Sequence, residues 1–173
     1  MRYDNEEVFA MKKWMNVLLL CAALLLPALA LADGPVLLVE LPDDAQMIEN
    51  VAFEDGDFIQ SYQLAGGTQV QLLRYASFGM TLEELAASDW PDAAAAAKLD
   101  VRHVGGCPAS GLRLTSPQGD GSTLDVTLVL VDAGAYTLIF SAVCPQGADA
   151  QAVETMLSTM NVLETGNPGA EVG

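Results

Sequence analysis

The chain has 173 residues, of which 51% are hydrophobic, and a formal net charge of −16 at pH 7. This apolar fraction excludes disorder of the whole chain, and the length suits one ordinary domain. The strong negative charge argues against nucleic acid as a partner and against docking on an anionic membrane, because like charges repel. The single histidine excludes any site that needs two imidazole rings.

The segment 1–32 has the pattern of an N-terminal extension followed by a signal peptide. Two lysines precede an unbroken apolar run at 17–26, and small residues then alternate with larger ones. A basic start, an apolar centre and an A-x-A-like end are the three parts of a secretory signal. We therefore predict cleavage after Ala30 or Ala32 and a periplasmic or secreted protein, which meets the membrane only during export.

Two features leave alternatives open at this end of the chain. The stretch 14–31 is 18 residues long, the lower limit for an uncleaved transmembrane anchor, although no basic cluster follows it. Cys21 lies within the apolar run, but Leu20 before it is larger than the residue that normally precedes a lipid-modified cysteine. Because acidic residues in front of a signal peptide are unusual, we expect Met11 to be the true initiator.

Cys107 and Cys144 are the cysteines that remain after the predicted cleavage. An exported compartment is oxidising, so the sequence predicts a disulfide between them. A redox or zinc site is the alternative, but redox cysteines usually lie two residues apart and structural zinc needs further ligands.

The first half of the exported chain is predicted to be mostly extended. Val70 and Leu72 alternate with Gln69 and Gln71, which indicates a strand with one wet face. The acidic run Glu54–Asp57 has the composition of a hairpin turn. The predicted strands of this half span 35–41, 47–53, 58–64 and 68–75.

Two helices are predicted to follow. Thr81 and Glu84 have the spacing of a capping box, in which each residue bonds the backbone of the other, so a helix begins here and ends near Ser88. Five consecutive alanines lie within Asp92–Leu99, and alanine has the highest helix propensity. The sequence therefore predicts a second short helix at this position.

The last part of the chain is predicted to form four strands and a terminal helix. Apolar residues on both faces of the last two strands indicate central positions in the sheet. Val153, Met156 and Met160 follow helical spacing, which predicts a helix from residue 150 to about 163, before a flexible tail at 165–173. The predicted strands of this part span 101–107, 111–115, 123–131 and 135–144.

This order of elements indicates an α+β domain at 33–164, with an antiparallel sheet and helices packed on it. The layout of the hairpin at Glu54–Asp57, the Thr81 helix start, the strand at 106–114, the meander at 124–143 and the closing helix resembles the PsbP-like family. That family includes secreted DcrB-like bacterial proteins. The resemblance implies an α/β/α sandwich, and an accessory or binding subunit rather than a catalyst.

Acidic residues are the first candidate site. Glu54, Asp55 and Asp57 lie close together and could form a weak cation site, since calcium prefers oxygen ligands. Their spacing does not match a calcium-binding loop, and a solvated hairpin tip is the simpler interpretation.

Basic residues are the second candidate. Arg74, Arg102 and Arg113 all lie on predicted strands, so they could converge on one sheet face and bind an anion or neutralise carboxylates there. Three separate surface ion pairs are the competing interpretation.

The sequence offers no catalytic constellation. His103 lacks a nucleophile in a recognisable motif, and no cofactor loop or metal set is present, so we expect a non-enzymatic protein without a cofactor. The predicted partner is an unknown envelope protein or a small ligand. A carrier of small molecules or lipids would need a cavity between sheet and helices, for which the candidate lining is Phe58, Tyr62, Tyr136 and Phe140.

Overall fold

The computed structural model describes residues 34–77, 79–92, 96–148 and 150–165. The predicted signal peptide and residues 166–173 of the predicted tail lie outside these residues, whereas Thr165, predicted to belong to the tail, is the last residue of a strand. The elements, in chain order, are β1 (Gly34–Leu38), β2 (Gln46–Ala52), β3 (Phe58–Gln63), β4 (Gln69–Ala76), α1 (Leu82–Asp89), β5 (Ala97–Leu99), β6 (His103–Val104), β7 (Cys107–Pro117), β8 (Thr123–Ala133), β9 (Tyr136–Pro145), α2 (Ala150–Thr159) and β10 (Asn161–Thr165).

The strands form one large antiparallel sheet and one small ribbon. The large sheet has the order β2-β3-β4-β9-β8-β7-β5, and β6 pairs with the start of β7. The ribbon consists of β1 and β10, the first and last described strands. Two helices pack on this arrangement, so the predicted α+β class and the antiparallel sheet are confirmed.

One side of the large sheet, which we call the closed face, is covered by α2 and the ribbon. It carries Val70, Leu72 and Phe140, which are 0–3% exposed. Val153 and Met156 of α2 join the same buried cluster. Because α2 presents these two residues on one stripe, its predicted apolar face is the face that packs.

The opposite side, which we call the half-open face, is covered by α1 alone. Leu82 and Ala86 of α1 pack on Leu112 and Leu128 of β7 and β8. Beyond that contact, β4 exposes its glutamines, as the sequence alternation predicted. Neither described helix could cross a membrane, since the longer one has ten residues.

The predicted start of the first helix is confirmed in detail. The Thr81 Oγ1 accepts a hydrogen bond from the Glu84 backbone N–H at 3.2 Å, and the Glu84 Oε2 accepts one from the Thr81 backbone N–H at 2.8 Å. The helix ends at Asp89, within one residue of the prediction.

The predicted alanine-rich helix is wrong at Ala97–Leu99, which forms the edge strand β5, while 93–95 lie outside the described residues. Pairing with β7 overrides the helix propensity of alanine, because the strand edge satisfies the backbone of these residues. Leu99 lies against Gly111, where a Cβ atom would come within 3.0 Å of the Leu99 Cβ.

The predicted terminal helix is too long. It ends at Thr159, and Asn161–Thr165 forms β10 along β1. The strand predicted at 101–107 is also broken, since only His103–Val104 is extended before a turn. Gly105 in that turn has φ +56°, and a Cβ there would lie 2.5 Å from the Val162 N, so only glycine fits beside β10.

Candidate functional site

The half-open face holds a groove of about 340 Å³ between α1 and the centre of the sheet, which we call the α1 groove. Its floor is formed by side chains of β4, β8 and β9 that the strand register aligns in rows. The apolar residues of the floor are Leu73, Leu128 and Ile139, and those that carry polar groups are Gln71, Tyr75 and Ser141.

The wall of the α1 groove comes from both ends of α1. Met80 precedes the helix and is 40% exposed, Leu85 lies within it, and Trp90 follows its last residue. Trp90 donates its backbone N–H to the Ala86 carbonyl, so the helix end holds the indole at the groove. The Thr81 capping box and this bond therefore position the apolar wall.

Among the residues that the structure describes, Asp89 is the only charged residue that lines the α1 groove. Burial, followed by the negative charges of Asp57 and Asp89, raises the pKa of the Tyr75 phenol above its ordinary value. Tyr75 therefore stays protonated at neutral pH and keeps an O–H donor beside the groove. The groove combines an apolar body with a phenol, an amide, a hydroxyl and one carboxylate.

Arg74 lies on the closed face and is 1% exposed. Its Nε donates to the Gly56 carbonyl at 2.7 Å and its Nη1 to the Pro35 carbonyl at 3.3 Å, while Nη2 also bonds the Gly56 oxygen. The rings of Phe58 and Tyr136 each lie 5.0 Å from its guanidinium carbon. These contacts join β1 and the β2–β3 turn to the sheet, which is a structural role.

The predicted arginine cluster is wrong. Following the strand pairings from β4 through β9 and β8, Arg74 aligns with Ala109 of β7, which is three strands away. Arg113 lies four residues beyond Ala109 along β7. At about 3.3 Å per residue and 4.8 Å per strand, the two Cα atoms are roughly 19 Å apart. Arg102 lies in a loop and bonds Asp100 at 3.2 Å, so the three guanidinium groups do not converge.

Arg113 lines a second, more polar cleft of about 370 Å³ beside the start of α2. Its Nη2 bonds the Glu154 Oε1 at 2.5 Å and its Nε reaches the Thr127 hydroxyl at 3.4 Å. Because Glu154 already neutralises Arg113, this cleft offers less charge for a ligand than its composition suggests.

The acidic hairpin tip has local partners. The Asp57 Oδ1 accepts the Ala76 backbone N–H at 2.8 Å, and the Asp55 Oδ1 accepts the Asp57 N–H at 3.2 Å. No group of three or more residues suited to hold a metal ion occurs in the part of the chain that the structure describes, and Glu54, Asp55 and Asp57 do not form one. Two of these carboxylates therefore fix the turn.

The predicted disulfide is also wrong, because Cys107 and Cys144 are free thiols at opposite ends of the sheet. Cys144 of β9 pairs with Asp125 of β8, and Asp125 pairs in turn with Thr115 of β7. Thr115 lies eight residues from Cys107 along β7. At about 3.3 Å per residue and 4.8 Å per strand, the Cα atoms of the two cysteines are roughly 28 Å apart, whereas a disulfide needs Cα atoms within about 7 Å. Burial raises the pKa of the Cys144 thiol, which keeps it protonated and unreactive.

The aromatic residues predicted to line a carrier cavity serve the closed face instead. Phe140 is fully buried, Tyr62 packs against the same cluster, and Phe58 and Tyr136 flank Arg74. The groove residues Tyr75 and Trp90 were missed by the sequence analysis. A tryptophan directly after a capped helix was the available signal, since tyrosine and tryptophan are enriched at interfaces.

No protein-family profile and no curated protein sequence matches the chain, so the PsbP-like resemblance stays an interpretation of the layout. Among solved structures, the chain is similar to LpqN of Mycobacterium tuberculosis, described as involved in cell envelope biogenesis. The identity is 12% and the TM-score 0.44, over 74% of this chain and 83% of that one. A protein of Bacteroides thetaiotaomicron VPI-5482 is similar at 14% identity and a TM-score of 0.48, over 79% of this chain and 47% of that one.

Proposed function

We propose that the protein is an exported, non-enzymatic binding protein that holds a small amphipathic molecule in the α1 groove. The observation that carries this proposal is the half-open face, where α1 leaves an apolar groove of about 340 Å³ beside exposed glutamines. Small-ligand sites are mostly apolar clefts of about 300–1,000 Å³ with a few polar groups, and the groove fits that description.

The lining favours a neutral or cationic ligand. Its charged member is the Asp89 carboxylate, none of the described lysine, arginine or histidine residues lines it, and the whole chain carries a net charge of −16. A fatty acid or another anionic lipid would bring a carboxylate or phosphate beside Asp89 without a cation to pair with it. A molecule with an apolar body and an uncharged or basic head meets no such penalty.

A binding role rather than catalysis is supported by the residues of the groove. Ser141 and Asp89 contribute to the lining, but His103 lies on β6 and is not part of it. A hydroxyl nucleophile needs a base within hydrogen-bond reach, and no imidazole stands between these two groups. The proposal therefore assigns the polar groups to ligand orientation.

The exported location depends on the basic, apolar and small-residue pattern of 12–32. N-terminal sequencing of the protein from cells tests this part separately. A first residue at Leu31 or Asp33 supports export with cleavage, whereas a retained segment 12–32 contradicts it.

The ligand part is tested with three probes that share a twelve-carbon chain and differ in head group: dodecyltrimethylammonium, dodecyl maltoside and dodecanoate, each below its micellar concentration. Trp90 lines the groove, so its fluorescence reports occupancy. We expect saturable blue shifts with the cationic and neutral probes, and binding of dodecanoate that is at least about tenfold weaker.

A matched pair of substitutions controls this experiment. Met80→Glu places a charge in the groove wall, and Leu163→Glu places the same charge on β10, at a side chain of nearly equal exposure (40% and 41%). We expect only Met80→Glu to weaken the neutral probe. Equal effects of both variants, or no saturable signal with any probe, would contradict the proposed site.

A further inference from the structure

The two edges of the large sheet differ in length and in covering. β5, at one edge, has three residues. β2, at the other edge, has seven, and among the described strands only β3 pairs with it. Natural sheets usually keep exposed edge strands short, because their unpaired N–H and C=O groups attract further strands. The outer edge of β2 is therefore a place where another strand can add.

The side chains of this edge are unusually apolar for a solvated strand. Every residue of β2 is exposed. Seven large hydrophobic side chains are exposed among the described residues, and four of them lie within 47–53, which we call the edge segment. These four are Met47 at 50%, Ile48 at 58%, Val51 at 37% and Phe53 at 48% exposure.

The charge around the edge segment has one sign. Residues 34–73 contain seven Asp and Glu residues and no Lys, Arg or His. The ion pairs of the described residues all involve bases at 98, 102 and 113, and none reaches this region. The next base in sequence is Arg74, which is buried under the Gly56 carbonyl. The negative potential here is therefore open to an external cation.

A second copy of the chain fits this edge poorly. Pairing of two β2 strands would bring two acidic segments together, each from a chain with a net charge of −16, and like charges across a strand pair are destabilising.

We propose that the outer edge of β2 is a docking strand for an extended, cationic segment of a partner protein, which adds to the sheet beside residues 46–53. Backbone hydrogen bonds supply the attachment, the apolar side chains of the edge segment contact those of the partner, and the acidic surroundings select lysine or arginine. This surface is separate from the α1 groove and does not depend on the proposed ligand.

The test uses a short synthetic peptide of alternating lysine and valine, with a peptide of alternating glutamate and valine as its charge-reversed control. Binding is followed by fluorescence anisotropy, and the site is located by backbone hydrogen exchange of the intact protein. We expect the lysine peptide to protect the amides of β2, to bind at least about tenfold more tightly than the glutamate peptide, and to weaken as salt screens the charges.

Substitutions separate local docking from general attraction. Val51→Lys and Leu163→Lys change the net charge equally and replace side chains that are 37% and 41% exposed. We expect Val51→Lys to weaken the lysine peptide about tenfold and Leu163→Lys less than about twofold. The inference is overturned by equal effects of the two variants, by binding without protection of β2, or by β2 amides that are protected through self-association without peptide.

Discussion

The two faces of the large sheet are built from the same alternating strands but have different consequences. On the closed face, α2 and the β1–β10 ribbon cover the apolar rows, and Phe140 is fully buried. On the half-open face, the shorter α1 covers β7 and β8 and leaves the β4 row beside a groove. The comparison shows that the covering elements, rather than the strands, decide which face keeps an open groove.

The two faces also differ in the charged residues that they carry. The closed face buries Arg74 and satisfies its donors with backbone carbonyls and two aromatic rings. The half-open face has a carboxylate, Asp89, at its groove. The buried cation is therefore part of the scaffold, and the carboxylate is the charge that a ligand would meet.

The largest effect is expected from Arg74→Ala on the closed face. The substitution leaves the Gly56 and Pro35 carbonyls without their donor and removes both cation–π contacts. We expect the free energy of unfolding to fall by roughly 3–5 kcal/mol, measured by urea denaturation. Arg113→Ala, which removes a partly exposed ion pair, should cost less than about 1 kcal/mol, and equal losses would contradict the scaffold role.

Neighbouring leucines of β4 compare the faces directly. Leu72 is 3% exposed on the closed face, whereas Leu73 is half-buried beside the α1 groove. We expect Leu72→Ala to lower the free energy of unfolding by about 3 kcal/mol and Leu73→Ala by about 1 kcal/mol. The same denaturation experiment measures both. A larger loss at Leu73 would mean that the half-open face is covered in solution.

The helix cap is expected to have a smaller effect. Thr81→Ala removes the hydroxyl that accepts the Glu84 N–H, which should lower the free energy of unfolding by about 1 kcal/mol. Thr81→Ser keeps the hydroxyl and should restore most of the loss. Because α1 forms the groove wall, Thr81→Ala should also weaken the neutral probe, and unchanged binding would separate the cap from the groove.

Acid should weaken the same helix. Hydrogen bonds from the Thr81 backbone and side chain lower the pKa of Glu84 below its ordinary value. A carboxyl with a lowered pKa in the folded state stabilises above its unfolded pKa, and this contribution is lost as pH falls through the folded pKa. Comparing unfolding of the natural protein and Glu84→Gln from neutral to acidic pH measures it. The two curves should converge in acid, and parallel curves would contradict the prediction.

The smallest effect is expected from reducing agents. Since Cys107 and Cys144 are free and distant, reduction should leave the free energy of unfolding unchanged. A disulfide closing this loop would instead contribute about 3–4 kcal/mol. Thiol titration of the unfolded protein, with Cys107→Ser as the control that loses one thiol, checks the count.

The positions of most strands along the chain could be predicted, while the candidate site could not. The meander ending in β9 and the capping box of α1 follow from alternation and short-range hydrogen bonding, which depend on neighbouring residues. The strand at Ala97–Leu99 could not be predicted, because its pairing partner on β7 lies beyond any local window. The disulfide was wrong for the same reason, since compartment and cysteine count say nothing about register.

The sequence by itself determined the strand periodicity, the cap at Thr81, the apolar stripe of α2 and the acidic, base-free stretch 34–73, because these are properties of residue type and spacing. Tertiary structure alone decided that β10 returns to β1, that Arg74 is buried while Arg102 is not, and that α1 leaves a groove. Those outcomes depend on which distant segments meet, and long-range packing sets them through the total burial and hydrogen bonding of the chain.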